Sequence, residues 1–369
     1  MLYIHIPFCR KACHYCDFHF STSLALQSPM VKAICKEIAM QQHYLSSQVL
    51  QSVYFGGGTP SLLTEAELAD IFSTIRQHFT IAEDAEITLE ANPDDLTASK
   101  LQALKNLGIN RLSIGIQTFN DLNLQKMNRT HKAAQALASV EMAKKTGFDN
   151  FSIDLMYGFP AANHENWLAD IAQALALKPA HISTYCLTIE PKTALHKQAL
   201  SQKFVPATDD FAAQQYEMLI EELEKNGYIH YEISNFAMPS FFAKHNSNYW
   251  KKGQYLGVGA AAHSYNGTLR QANVANNVQY IKAIESGKIP ATVEVLTPEN
   301  HINEYILVNL RTIWGCNRDF LRENYQYQFS EKLLANYQKQ GLLTYTKDLV
   351  VLTKQGKLFA DKICGDFFV

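Results

Sequence analysis

The sequence predicts an α/β fold: a partial, open barrel of six βα units, followed by a winged-helix-like module. Three observations predict it. Short β-rich runs alternate with helical patterns as far as Asn226. Polar residues recur near the ends of those runs, about one βα unit apart. Beyond residue 290 the pattern changes to helices followed by a hairpin.

The β-rich runs are 2–6, 52–55, 86–90, 111–116, 151–155 and 181–187. Apolar residues at helical spacing fill 29–44, 64–79, 97–107, 131–146, 163–177 and 209–226. Thr64 with Glu67 reads as a capping box, and Gly108, Gly147 and Gly227 read as helix stops. Strands that alternate with helices build a parallel sheet. Six units fall short of the eight that close a barrel, so an open barrel is expected, with a doubly wound sheet as the alternative. Residues 228–287 are rich in Tyr, Asn, Gly and Ala and have no clean period. Within them, HNSNYW (245–250) and LGVGAAAHSY (256–265) read as a lid or ligand surface. In the last part, 298–312 and 330–340 are helical. Runs 342–345 and 349–352 flank a Lys347-Asp348 turn, and 356–363 reads as a closing helix. Basic residues there are mixed with acidic ones, which points to a structural or docking role rather than DNA binding. The expected division is therefore a core over 1–230, a lid or ligand-binding segment over 231–289, and the C-terminal module over 290–369.

Composition narrows the function classes. The 369 residues are 47% hydrophobic and 18% charged, with a formal net charge of -2. That is ordinary globular composition, and it argues against bulk binding to nucleic acid or an anionic membrane. The N-terminus lacks the pattern of a signal peptide, and no apolar run is long enough to span a bilayer. The expected location is the cytoplasm, with peripheral membrane association left open.

Seven cysteines are present, an odd number that argues against a disulfide framework. Cys35, Cys186, Cys316 and Cys364 are scattered and read as small core residues. Cys9, Cys13 and Cys16 are clustered on a loop just after the first strand. Thiolates are soft ligands that suit zinc or iron–sulfur. Structural zinc would need a fourth ligand from a neighbour such as His5, His14 or His19. An ordinary [4Fe–4S] cluster takes four cysteines, so three leave one iron open to a small molecule. Gly56–Ser61, Glu90, Gln117, Asp154 and Tyr185 lie at or near the ends of later strands. In α/β folds that edge builds the active site, so these residues are expected to converge.

The C-x3-C-x2-C loop, with Tyr15 before its last cysteine, resembles the signature of the radical S-adenosylmethionine superfamily. YIHIPFC (3–9) and CHYCDF (13–18) resemble the branch that holds oxygen-independent coproporphyrinogen III oxidase and the heme chaperones. YFGGGTPS (54–61), EANPD (90–94), RLSIGIQTF (111–119), NRTH (128–131), DLMYGFP (154–160) and YEISNFA (231–237) extend it over most of 1–265. The resemblance implies a radical S-adenosylmethionine barrel with a [4Fe–4S] cluster on Cys9, Cys13 and Cys16. It implies that the reduced cluster donates an electron to bound S-adenosylmethionine, giving methionine and a 5′-deoxyadenosyl radical. It further implies that Gly57, Gly58 and Thr59 lie against the methionine end and that Glu90 takes the ribose hydroxyls. Gln117, Arg129 and Asp154 make further contacts, and Tyr3 and Tyr15 pack beside cluster and cofactor.

Two functions fit this branch: a heme chaperone that passes heme to an acceptor protein, and an oxidase that decarboxylates coproporphyrinogen III. By resemblance, the oxidase carries a fourth cysteine two residues after the third, where this chain has Phe18. The oxidase also has an N-terminal extension, whereas eight residues precede Cys9 here. HNSNYW (245–250) resembles the HNxxYW motif of the chaperones, which makes His245 the candidate heme ligand. GAAAHS (259–264) departs from the branch's GPGAHS, which leaves a cofactor contact from His263 in doubt. The expectation is a heme chaperone, with the oxidase as alternative. Its partners would be heme, a heme-acceptor protein and an electron donor, and a homodimer is left open.

Overall fold

A computed structural model describes residues 1–369. The first six strands and their helices follow the predicted alternation. They are β1 (Leu2–Ile6), α1 (Gln27–Met40), β2 (Val49–Gly57), α2 (Glu65–His78), β3 (Thr80–Ala91) and α3 (Ala98–Leu107). Then come β4 (Arg111–Gln117), α4 (Asp121–Lys126), α5 (Ala133–Lys145), β5 (Phe151–Tyr157), α6 (Glu165–Leu177) and β6 (His181–Cys186). The capping box forms as expected: Glu67 N–H donates to Thr64 Oγ1, and Thr64 N–H donates to the Glu67 carboxylate. Gly108 ends α3 in the left-handed conformation at φ 99°, which a side chain would disfavour.

Strands β1 to β6 lie side by side in sequence order, each parallel to the next. A doubly wound sheet reverses its strand order at a switch point. No reversal occurs between β1 and β6, so the open-barrel expectation stands and the alternative falls.

The next segment runs through α7 (Ala194–Leu200), α8 (Asp209–Lys225), β7 (Ile229–Glu232), β8 (Asn235–Ala237), α9 (Lys244–Trp250) and β9 (Leu256–Val258). It extends the sheet at both edges. β9 pairs with β1 in parallel, β8 pairs with β6 antiparallel, and β7 pairs with β8. A small antiparallel sheet follows, built from β10 (His263–Tyr265), β11 (Leu269–Asn273) and β12 (Ala291–Val295), with α10 (Asn277–Glu285) between the last two. The region without a period thus holds five strands, most too short to display one.

The C-terminal part comprises α11 (Pro298–Leu310), β13 (Cys316–Asn317), α12 (Arg318–Tyr325), α13 (Glu331–Lys339), β14 (Leu343–Tyr345), β15 (Leu349–Leu352), α14 (Lys354–Lys357) and α15 (Ala360–Asp366). Helices α11, α12 and α13 with the three-stranded sheet β13-β15-β14 give the winged-helix-like form, and α14 and α15 follow it. This part has its own core, 16 buried residues around Ile306, Leu321 and Val350, separate from the 53-residue core of the barrel. The two cores make it a packing unit in its own right.

The barrel strands alternate in the sense that positions the site. Leu2, Ile4, Val53, Phe55, Leu89, Leu112, Ile114, Ile153 and Ile182 pack into the main core. The intervening residues, among them Tyr3, Tyr54, Glu90, Ser113, Asp154 and Ser183, meet one another on the opposite, concave face. That face is polar, so the lumen is a place for ligands rather than a second apolar core.

Candidate functional site

The cysteine loop leaves β1 and is pinned to the end of β2. Gly58 N–H donates to Ile6 O at 2.9 Å, and Thr59 N–H donates to Phe8 O at 2.8 Å. The approach is so close that a Cβ on Gly58 would lie 2.6 Å from both carbonyl oxygens. Cys9 is further held by its N–H to Ser21 O at 3.0 Å. On the far side, Asn128 Nδ2 donates to Ala12 O at 2.8 Å and His14 N–H to Met127 O at 3.1 Å.

All three thiols are free and half-buried. Burial pushes Cys9 up to about 11 and Cys16 up to about 12. A soft metal that binds them would therefore displace protons from thiols otherwise neutral at pH 7. Thr59 Oγ1 donates to Cys9 Sγ at 3.3 Å, and Arg129 Nη1 donates to Cys13 Sγ at 3.5 Å. Both contacts suit thiolates, which are the better acceptors. The zinc alternative finds little support. His5 uses both ring nitrogens, on Tyr3 and on His19 O, and His19 is bound to Asn277. His14 Nδ1 is bound to Lys126 O.

Beside the loop, the strand-end residues converge as expected. Glu90 accepts from Tyr54 Oη at 2.8 Å and from Gly57 N–H at 3.2 Å. Burial pushes its carboxyl up to about 7, and the nearby Asp154 charge adds to the shift. Asp154 accepts from Ser113 Oγ at 3.1 Å and is itself pushed up to about 6 by burial, against the pull of Arg111. Arg129 donates to Asn92 Oδ1 at 2.8 Å and to Gly115 O at 2.6 Å, and it lies 3.5 Å from Tyr15 Oη. Its Nε is buried without a partner, an open donor for an anionic ligand. Gln117 takes φ 71° at the end of β4, where the register with β5 shifts. A non-glycine residue held there is the kind of strain that gathers at functional sites. Asp170 of α6 fixes the turn by accepting from Thr118 Oγ1 at 2.6 Å and Phe119 N–H at 2.7 Å.

His245, the candidate heme ligand, is 1% exposed. Its Nδ1 is bonded to Ser52 Oγ at 2.9 Å and its Nε2 to Tyr249 Oη at 3.0 Å. Burial pulls its pKa down to about 3, so it stays neutral. Its ring lies 5.0 Å from that of Tyr54 and 6.4 Å from that of Tyr3. His245 therefore lies beneath the pocket with both ring nitrogens hydrogen-bonded within the protein. The HNSNYW segment, α9, closes the barrel from below instead of forming a lid. His263 is exposed on β10, and the pKa of His5 is lowered by burial and, after it, by the charges of His19 and His263.

Residues that the sequence reading left unassigned also belong here. Tyr54 links Glu90 above to His245 below, and Gly56 permits it, since a Cβ there would meet Tyr54, Tyr3 and Glu90 within 3.1 Å. Asn92 sits in EANPD, two residues after Glu90. A separate cavity of about 390 Å³ between α8 and α14 holds none of these residues.

Comparison with known proteins gives the family and the fold. Residues 3–174 match the family model described as the radical SAM superfamily. The chain is 36% identical to the heme chaperone HemW of Bacillus subtilis, over 99% of this chain and 98% of that protein. It is 34% identical to the heme chaperone HemW of Lactococcus lactis, over 100% of this chain and 97% of that protein. Among solved structures, coproporphyrinogen III oxidase (HemN) from Escherichia coli aligns over all of this chain and 89% of its own. Its TM-score is 0.86 at 23% identity, a likeness of fold.

Proposed function

The chain belongs to the radical SAM superfamily and, within it, to the HemW family, and on that footing we propose that it is a heme chaperone. In this reading it carries a [4Fe–4S] cluster and S-adenosylmethionine, binds heme, and passes it to an acceptor protein. The observation that carries the reading is relatedness over the whole length of two heme chaperones. Phe18, where the oxidase would have a fourth cysteine, supports it further.

When bound and reduced, the cluster supplies the electron that cleaves S-adenosylmethionine. The protein's part is binding and orientation. Cys9, Cys13 and Cys16 would hold the cluster, and three thiolates would leave it open to a small-molecule ligand. The amide hydrogens of Gly57, Gly58 and Thr59 are already used within the protein, so an ammonium would find carbonyl oxygens there. Glu90, set between Tyr54 and Gly57, accepts from the ribose diol once ionised. Arg129 offers its free Nε to the carboxylate, and Gln117 and Asp154 complete the wall. Tyr3 and Tyr15 supply the packing. His245 takes a structural part, carrying Tyr54 and through it Glu90. Heme and an electron donor are the expected partners. No helix is long and apolar enough to cross a membrane.

The alternative is oxidation of coproporphyrinogen III. The discriminating experiment supplies the cluster-loaded protein with reductant, S-adenosylmethionine and coproporphyrinogen III under anaerobic conditions. The chaperone reading expects no substrate-dependent carbon dioxide. Turnover to a vinyl product with stoichiometric carbon dioxide would overturn it.

A further inference from the structure

The two side-chain donors that touch the cysteine sulfurs are held by one residue. Asn92 Oδ1 accepts from Arg129 Nη2 at 2.8 Å, and Asn92 Nδ2 donates to Thr59 Oγ1 at 3.4 Å. Thr59 Oγ1 in turn donates to Cys9 Sγ, and Arg129 Nη1 to Cys13 Sγ. Asn92 therefore bridges two of the three cysteines through opposite ends of one amide. The amide is fixed in turn. Asn92 N–H donates to Ser61 Oγ at 3.3 Å, and Ser61 Oγ donates to Asp95 at 2.7 Å. Asp95 pairs with Arg10, the residue after Cys9, at 2.8 Å. The network thus returns to the cysteine loop. Thr59 is 4% exposed, so water cannot readily replace its hydroxyl.

We propose that Asn92 is a positioning residue that raises the reduction potential of the cluster, by aiming Thr59 at Cys9 and Arg129 at Cys13. The inference rests on the cluster reading given above. One-electron reduction makes the cluster and its thiolates more negative. Donors to the sulfurs stabilise that reduced state more than the oxidised one, so they raise the potential. Removing them lowers it. A role for Thr59 on the sulfur also differs from the expectation that it serves S-adenosylmethionine alone.

The test is a potentiometric titration of the reconstituted full-length protein, without S-adenosylmethionine, followed by electron paramagnetic resonance. Thr59→Val keeps the branched shape and removes the hydroxyl. It should lower the equilibrium constant for reduction about tenfold, which is about 59 mV for one electron. Asn92→Ala should lower it further, because both donors lose their guide. Thr59→Ser should stay near wild type. Iron and sulfide content separate the two ways to fail. Chains that never take up a four-iron cluster, wild type included, overturn the cluster reading itself. Clusters present in full but with wild-type midpoints in Thr59→Val and Asn92→Ala overturn the role of Asn92. If Asn92→Ala loses its cluster, the pair Thr59→Val and Thr59→Ser decides alone.

Discussion

Replacing Gly58 by alanine tests whether close backbone approach holds the cysteine loop in place. The added Cβ would stand 2.6 Å from Ile6 O and Phe8 O and 2.8 Å from Phe8 N. Ordinary contact begins near 3.4 Å, so atoms must move by about 0.8 Å. All three are backbone atoms, so no rotamer change relieves the clash. Gly58 has no positive φ, so the effect is contact alone and not dihedral strain. Overpacking of this kind costs about 1–3 kcal/mol. The two hydrogen bonds that pin the loop, from Gly58 and Thr59, are displaced with it, at ~0.5–1.5 kcal/mol each if lost. The expected destabilisation is about 2–6 kcal/mol, the lower end if the two hydrogen bonds only lengthen. Gly365→Ala is the control: it lies in α15 with nothing within 4 Å of its Cβ position and should stabilise by about 0.5–1 kcal/mol. Urea unfolding at unchanged m gives both values, and iron per chain after reconstitution reports the loop. Gly58→Ala within about 0.5 kcal/mol of wild type, with full iron, would refute the reasoning.

Two further predictions concern the pocket and its floor. Glu90 titrates near 7 in the folded chain against an ordinary 4.5, so the native state holds a proton that the unfolded chain releases in that window. Stability should therefore fall as pH rises from about 4.5 to 7, and Glu90→Gln should flatten that fall by about 1–3 kcal/mol, read from urea midpoints against pH. A Glu90→Gln curve parallel to wild type would count against the shifted carboxyl. His245→Ala leaves Ser52 and Tyr249 without their partner and opens a cavity, at about 2–4 kcal/mol. Its Soret titration with heme tests the ligand reading: a weakened titration supports His245 as the iron ligand, and one that matches wild type leaves it a structural part alone.

Much of the fold was legible because its signals are local and long. Six β runs with helices of ten residues or more between them each carry a period, and Thr64, Glu67 and Gly108 mark ends by their own chemistry. Four short elements were not legible: α4, α7, β8 and β9 hold three to seven residues each, too few to repeat a pattern, whereas the Lys347-Asp348 turn marks the comparably short β14 and β15. The first part of β3 was missed for another reason, since its residues Thr80–Asp84 are largely exposed and charged and lack apolar alternation. In the site, the cysteine spacing and the strand-end polar residues could be read from the chain. The function of HNSNYW could not, because a histidine sealed by Ser52 and Tyr249 looks, in sequence, like one held out to a ligand. Asn92 was hidden for a similar reason: its work lies in partners 33 and 37 residues away, which no motif displays.

The central claim is that this chain binds heme and gives it up to another protein. Its most direct test loads the cluster-reconstituted protein with one equivalent of heme, removes the excess, and mixes it with a heme-free acceptor hemoprotein. The account predicts a saturable one-to-one complex whose Soret band is replaced by that of the acceptor, faster than free heme release allows. Heme that binds without saturation, or that stays on the chain when the acceptor is added, would contradict it.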